Sequence, residues 1–460
     1  MRTRNALLFG TAVILLLAYS QRDTLEQRAR LAVGGAAGKA AVSAMGELTS
    51  NANSRGLAAA ELITLPIEVD EVAPGIFCAS GDGNTYVITT SAGNVVFDTG
   101  LVIQAAEQRE KLEALVGLSA PKKIIVSHSH ADHVGGVRFW DDGSAELVAH
   151  EEFLEEQRYL TELDPYLHQR NRVLFPWLPE KPARIPGMNF RGLTPDVLVD
   201  NDEPYRFSLG GRDFEVLAVP GAEGADNLVL WLPQDRILLS GDFFGPQFPQ
   251  FPNIFTMRGE KTRKPIEYIA SLEQIIALKP TMVLPSHLSP ATGDAVLSDI
   301  ERIRDAVRFV HDATIAGMNN GKTVGQLMRE VQLPPELALS QTHGKVSWAV
   351  KSIWEYYATW FHFDRTSELY ATDQSEVLAD LADSLDVESA LDTADNYLAA
   401  QDFEKALLLS ELLEGSTEHT ERRVGLRRQS LNGLLDRARS NEHNDYEIYW
   451  LEAELSKLPN

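Results

Sequence analysis

The chain has 460 residues, 44% of them apolar and 23% charged, which is enough for two domains with a sizeable core in each. Sixty-six acidic residues against 42 basic ones give a net charge of −24, a field that repels nucleic acid and obliges any anionic substrate to find basic groups at its own site. The lone cysteine, Cys78, excludes an internal disulfide and a cysteine-built zinc knuckle, and reads as a small packed residue.

Arg2 and Arg4, an apolar run from Ala6 to Ala18, and small residues at Ala18 and Ser20 read as a signal peptide over 1–20. The run is short for a membrane span, which takes about 20 apolar residues. Export to the periplasm or beyond is therefore expected, with an uncleaved inner-membrane anchor as the alternative. Residues 21–64, rich in Ala, Gly, Ser and Asn, read as a linker or a helical strap. From Ile67 the texture changes to short alternating segments (VAPGIFCASG, NTYVITTSAG, NVVFDTG) punctuated by glycine, an antiparallel meander. A helix is expected over 103–115, then a buried strand, Ile124 to Val126, running directly into His128, and another strand over 147–150.

The stretch 151–190 carries Tyr159, Tyr166, Phe175, Trp177 and several prolines in an irregular setting, either a packed surface excursion or a substrate lid. Strands resume over 213–219, 227–233 and 236–242, a helix covers 265–278, and a last strand ends at His287. The whole of 65–298 is predicted to be an α/β layered αββα sandwich. From 299 to 460 apolar residues recur at three- and four-residue spacings, so that half is all helical. One stretch, DNYLAAQDFEKALLLSEL, resembles an arm of a tetratricopeptide hairpin, but no period repeats. The aromatic cluster Trp348, Trp354, Tyr356, Tyr357, Trp360 and Phe361 suits a core, and a subunit interface is its second use, giving a homodimer through the C-terminal helices.

The chemistry concentrates where His128, His130, Asp132 and His133 follow a buried strand and precede Gly135-Gly136. Along extended backbone, positions 128 and 130 point the same way, because strand side chains alternate with period two. Asp132 and His133 then face the same cavity from the next turn. Imidazoles with a carboxylate suit borderline-soft divalent ions such as zinc. Asp242 and His287 each close a strand and are candidates to converge on this loop; alone, each would more often be a cap or turn residue. Asp98, in FDTG, is expected to orient a ligating imidazole from behind.

FDTG, HSHADH, SGD and a terminal SH, in this order, resemble the metallo-β-lactamase superfamily. Where that superfamily usually has a His after a PG turn, this chain offers Glu223. Glu223, the segment from Asn253 through Thr256 and Arg258 to Arg263, and the helical C-terminal half are similar to the secreted alkylsulfatases of the superfamily. That resemblance implies two zinc ions: one held by His128, His130 and Glu223, the other by Asp132, His133 and His287, with Asp242 bridging. It casts Asp132 and Asp242 as catalytic carboxylates and Asn253, Thr256, Arg258 and Arg263 as the groups binding an anionic ester, a sulfate ester above all. The bland reading of the two arginines is pairing with Glu260 or Glu267. Two departures stand out: Leu288-Ser289-Pro290 replaces the His and Trp that follow the terminal SH in alkylsulfatases, and the chain ends before their sterol-carrier-like domain. The implied rivals are another hydrolase on the same fold (lactonase, thioesterase, phosphodiesterase or β-lactamase) and a metal-retaining dimeric binding protein.

Overall fold

The computed structural model describes residues 26–43, 63–117, 120–175, 178, 180–181, 191–255, 257–363, 365–371, 374–382, 386–414, 416, 418–440 and 444–459. It divides into two compact units: Met1–His168, Pro179–Pro249 and Arg263–Arg308 form the first, and Gln169–Leu178, Gln250–Thr262 and Phe309–Asn460 the second. The expected signal segment lies outside the described residues. Among those described, no helix is long and apolar enough to cross a membrane.

The first unit begins with helix α1 over 26–43, inside the stretch read as linker or strap. Its Leu31 packs with Ala105, Ala106 and Phe139, and Gln27 Nε2 donates to the carbonyls of Phe139 and Trp140, both at 3.2 Å. A seven-stranded sheet follows in the order β1 (Val69–Ala73), β2 (Ile76–Ala79), β3 (Thr85–Thr90), β4 (Gly93–Phe97), β5 (Lys123–Ile125), β6 (Glu146–His150) and β7 (Val197–Val199). The first four strands are the expected antiparallel meander, and β4 to β7 pair in parallel. A parallel pair needs a crossover, and α2 (Ala105–Val116) provides it between β4 and β5. Two single-turn helices, α3 (Ala131–Val134) and α4 (Val137–Trp140), lie between β5 and β6.

A second sheet of six strands is built from β8 (Tyr205–Leu209), β9 (Arg212–Ala218), β10 (Leu228–Leu232), β11 (Ile237–Gly241), β12 (Met282–Pro285) and β13 (Ala291–Thr292), in spatial order β13-β12-β11-β10-β9-β8. Period-two alternation separates its neighbours into layers. Val95, Phe97 and Ile125 of the first sheet meet Val216, Leu230 and Leu239 of the second in one core. Val96 and Ile124 point the other way, onto Leu112, Val137 and Trp140 of the helical layer. This is the αββα sandwich read from the sequence.

The stretch after β6 departs from expectation. Where an irregular excursion was predicted, α5 (Phe153–Glu162) and α6 (Asp164–Leu174) form. Pro165 sits in the first turn of α6, where its missing N–H takes no bond from the helix. Trp177 and 182–190 lie outside the described residues. Helix α7 (Pro265–Leu278) joins β11 to β12 and faces the second sheet's loops through Ser271 Oγ, which donates to the Pro220 carbonyl at 3.0 Å.

Helix α8 (Ala295–Asn319) runs through the division expected at 298–299 and past the boundary between the units. The second unit continues with α9 (Val324–Glu330), α10 (Val346–Ala358), α11 (Gln374–Ala382), α12 (Val387–Ala399), α13 (Phe403–Leu412), α14 (Thr420–Ser440) and α15 (Asp445–Lys457). Leu391, Ala394, Ala406 and Leu426 close a core among α12, α13 and α14, while Leu431, Leu435, Ile448 and Leu451 close another between α14 and α15. The aromatic stripe is not all core: Trp348 and Trp354 are half-buried, but Trp360 is 72% and Phe363 87% exposed.

Candidate metal centre

The site grows from the ends of strands, beginning with Asp98 just after β4. Its φ of 52° is left-handed, a conformation Asp tolerates better than most side chains, and it turns the carboxylate inward. That fully buried carboxylate accepts four hydrogen bonds: from Ser127 N at 2.7 Å, Ser127 Oγ at 2.8 Å, Ser286 Oγ at 2.6 Å and His133 Nδ1 at 2.8 Å. The ends of β4, β5 and β12 are thereby fixed together. Holding Nδ1 also sets the His133 tautomer, so Nε2 is the nitrogen left for a ligand on its other side.

The chain leaves β5 through Val126 and Ser127, presents His128, and turns at His130 into α3, which carries Asp132 and His133. Gly136 then passes so close to β4's exit that a Cβ there would overlap the Thr99 carbonyl and the Ala105 methyl. Thr99 Oγ1 donates to the His133 carbonyl at 2.8 Å and accepts from Gly136 N at 3.1 Å. The glycine pair is there for close approach.

Asp132, His133, Asp242 and His287 each offer one ligand atom, and these atoms all lie within 4.8 Å of one another. His133 Nε2 is 3.1 Å from Asp132 Oδ2 and 3.4 Å from Asp242 Oδ2; His287 Nε2 is 3.3 Å and 3.2 Å from the same two oxygens. Beside them, His128 Nε2 approaches His130 Nδ1 at 2.7 Å, and the His128 and His133 rings sit 4.1 Å apart.

Burial alone disfavours every charge here. For Asp132 and Asp242 it is outweighed by His133 and His287, which hold both carboxyls well below the usual range. Burial likewise pulls His133 and His287 down, but Asp132 and Asp242 carry both well above an ordinary histidine. His128 goes the other way: burial, then His133 and His130, push it well below. His128 is thus neutral without a cation, whereas His133 and His287 give up a proton when a cation takes its place. Asp242 Oδ1 and His287 Nδ1 are buried without a hydrogen-bond partner. Two carboxylates and two imidazoles converging within 4.8 Å, with a carboxylate oxygen to spare, fit a divalent transition metal.

The other expected site residues are placed as follows. Glu223 is buried and receives both arms of Arg263, at 3.0 and 2.7 Å, each side chain under 5% exposed. Arg258 pairs with Glu260, Nε to Oε1 at 3.0 Å, as the bland reading allowed. Asn253 Nδ2 lies 3.4 Å from His343 Nε2. Thr256 lies outside the described residues.

Sequence reasoning passed over two carboxylates. Burial, then Asp132, pushes Asp82 up to about 7; burial, then Glu156, does the same to Asp226, which is 1% exposed. Asp82 stands in a Ser-Gly-Asp-Gly turn, where an Asp is ordinary turn chemistry. Only its distant neighbours set it apart.

Residues 80–287 match the family model of the metallo-beta-lactamase superfamily, and 323–453 match that of alkyl sulfatase dimerisation. The chain carries a metallo-β-lactamase domain followed by an alkyl sulfatase dimerisation domain. Over 305 residues it is 30% identical to a linear primary-alkylsulfatase of Pseudomonas sp., covering 60% of this chain and 56% of that one. It is 22% identical to the alkyl/aryl-sulfatase BDS1 of Saccharomyces cerevisiae, over 60% of this chain and 46% of that one. The chain thus spans about half the length of these curated relatives. The solved structure of the stereoselective inverting sec-alkylsulfatase Pisa1 from Pseudomonas sp. superposes with a TM-score of 0.71 at 20% identity, covering 86% of this chain and 66% of that one, which establishes a shared fold. All the converging groups above belong to the metallo-β-lactamase domain, whose superfamily binds divalent metal.

Proposed function

We propose that this chain is a binuclear zinc hydrolase that cleaves sulfate esters to an alcohol and inorganic sulfate. The observation that carries the reading is the convergence of Asp132, His133, Asp242 and His287 within 4.8 Å, with His128 and His130 alongside, in a domain related to alkylsulfatases. Asp132, His133 and His287 would hold one ion, His128, His130 and Glu223 the other, and Asp242 would lie between them. Zinc bound there would supply Lewis acidity and lower the pKa of a water. The protein's part is orientation: Asp98 keeps His133 in one tautomer, and Asp132 and Asp242 remain ionised at neutral pH, the state in which they would hold cations. Arg258 and Arg263 would bind the sulfate oxygens, offsetting the field of an acidic protein, and would stabilise charge gathering on the leaving group.

The decisive assay is sulfate release from short and long alkyl sulfates, with and without chelator. Sulfate release abolished by chelator and restored by zinc supports the reading; ester cleavage indifferent to chelator ends it. A second reading, hydrolysis of a neutral ester, is favoured by one observation: both arginines already face carboxylates, Glu260 and Glu223. Arg258→Ala separates the two. It should raise KM and lower kcat for sulfate esters at unchanged metal content, and equal loss on a neutral ester would remove the clamp.

A homodimer through the helical half is part of the proposal. Trp360, Phe363 and Tyr370 are 72%, 87% and 68% exposed, and Leu369, Val377 and Leu381 about half, large apolar side chains of the kind an interface would cover. Trp360→Glu with Phe363→Glu should convert a dimer to a monomer in light scattering; a wild type already monomeric at micromolar concentration would count against it. Export through the basic and apolar segment at 1–20 completes the proposal, and fractionation of cells expressing the full chain tests it.

A further inference from the structure

The turn between β2 and β3 is clamped against the candidate metal centre from three directions. Two buried glutamines at the start of α2 set it from behind. Gln108 Nε2 donates to the carbonyls of Ala79, Ser80 and Gly83 at 3.3, 3.1 and 2.8 Å, and Gln104 Oε1 accepts from Asp82 N at 2.9 Å. On one side Asn84 N donates to the Ser286 carbonyl at 2.7 Å, and Asn84 Nδ2 to those of Pro285 and Leu288 at 3.2 and 3.0 Å, so the three bonds straddle His287. On the other, Gly83 runs so close to Asp132 that a Cβ there would overlap its carbonyl.

The residue this clamp presents is Asp82. An Asp in a turn usually accepts from the backbone N–H two residues on, as Asp141 does from Gly143 at 2.7 Å and Asp142 from Ser144 at 3.1 Å. Asp82 does not. Its half-buried carboxylate has no hydrogen bond or ion pair among the described residues, and it interacts electrostatically with all four of Asp132, His133, Asp242 and His287. A partnerless charge held rigidly beside a site acts on the charge of whatever enters. Sulfate and phosphate monoesters share a tetrahedral shape, but near neutrality the phosphate carries close to twice the charge.

We infer that Asp82 is a specificity-determining residue, a fixed negative charge that favours monoanionic sulfate esters over dianionic phosphate esters at the metal centre. The sulfate arm rests on the proposed function; the placement of the charge rests on the turn.

The probes are methanesulfonate and methylphosphonate, alike in shape, with no ester to cleave. At pH 9, where Asp82 is ionised, they carry one charge and two. Calorimetry on the full-length, zinc-loaded protein reads the ratio of their dissociation constants. Asp82→Asn, equal in shape and at home in a turn, should move that ratio about tenfold toward methylphosphonate, the effect of one further unit charge at close range in a partly screened site. Asp82→Ser, a second neutral turn former, should match it, and Asp82→Glu, which keeps the charge, should stay close to wild type. In turnover, the same variants should raise kcat/KM for ethyl phosphate relative to ethyl sulfate. An unchanged ratio in both neutral variants overturns the inference, and so does loss of zinc from them, which would make Asp82 a ligand instead. The two readings fail separately. A protein that cleaves ethyl sulfate but whose ratio ignores Asp82 loses this residue and keeps the hydrolase. One that cleaves no ester but whose ratio follows the charge at Asp82 loses the hydrolase and keeps the residue.

Discussion

Arg263 and Glu223 are a charge pair with almost no water, 3% and 4% exposed, and their energetics follow from that. Such a pair adds little over a well-packed apolar one, yet removing one member strands the other. Arg263→Ala should therefore destabilise the first unit by roughly 3–5 kcal/mol in urea unfolding, and adding Glu223→Leu should recover most of the loss. An Arg263→Ala protein as stable as wild type would mean that Glu223 already has another cation to face. At this scale the sequence is readable where chemistry is local. Three histidines in six positions announce themselves, whereas Asp226 becomes unusual only because residues from remote strands and from α5 remove its water. The same holds for the arginines: the sequence offered Glu260 or Glu267 as partners, and the fold gave Arg258 the first but brought Arg263 to a glutamate 40 positions away.

Elements were recovered where one face is buried and periodicity is strict, as in β3 to β6, β9 to β12 and α7. The failure at α5 and α6 came from weighing proline and aromatic content above the helical spacing of Phe153, Gln157 and Leu160. Close approach between elements is the other thing spacing hides. Gly136 has an ordinary φ of −97°, so its cost on substitution is purely steric. Gly136→Ala should destabilise by about 1–3 kcal/mol through overlap with Thr99 and Ala105, and should weaken metal binding too because Thr99 holds the His133 carbonyl. Loss of stability with metal affinity intact would separate the two roles. In the helical half, α9 opens with a reciprocal box between Thr323 and Gln326. Thr323→Ala should cost about 1 kcal/mol, read as a lowered midpoint in thermal unfolding.

Over the whole molecule, composition indicated two cores, and both units have their own. It did not indicate that 169–178 and 250–262 join the helical unit, because chain order says nothing about which segments cross over. The molecule's stability also carries a pH signature outside the metal centre. Glu355 and Glu368 raise His362 above its ordinary value of 6.5, each bonded to one ring nitrogen at 2.8 Å. A group raised in the folded state stabilises below its unfolded pKa and loses that contribution as pH climbs through the folded one. The melting temperature of wild type should thus exceed that of His362→Gln at pH 6, and the gap should close toward pH 9; a constant gap would assign the effect to packing. Asp98 has the widest reach of all. Because one carboxylate laces Ser127, just past the first sheet, to Ser286, just past the second, the rim of the sandwich that carries the candidate metal centre cannot gape on one side only. Loosening that knot, as Asp98→Asn would, should let amide hydrogens at both sheet ends exchange in step, so the rim behaves as one drawstring rather than as separate flaps.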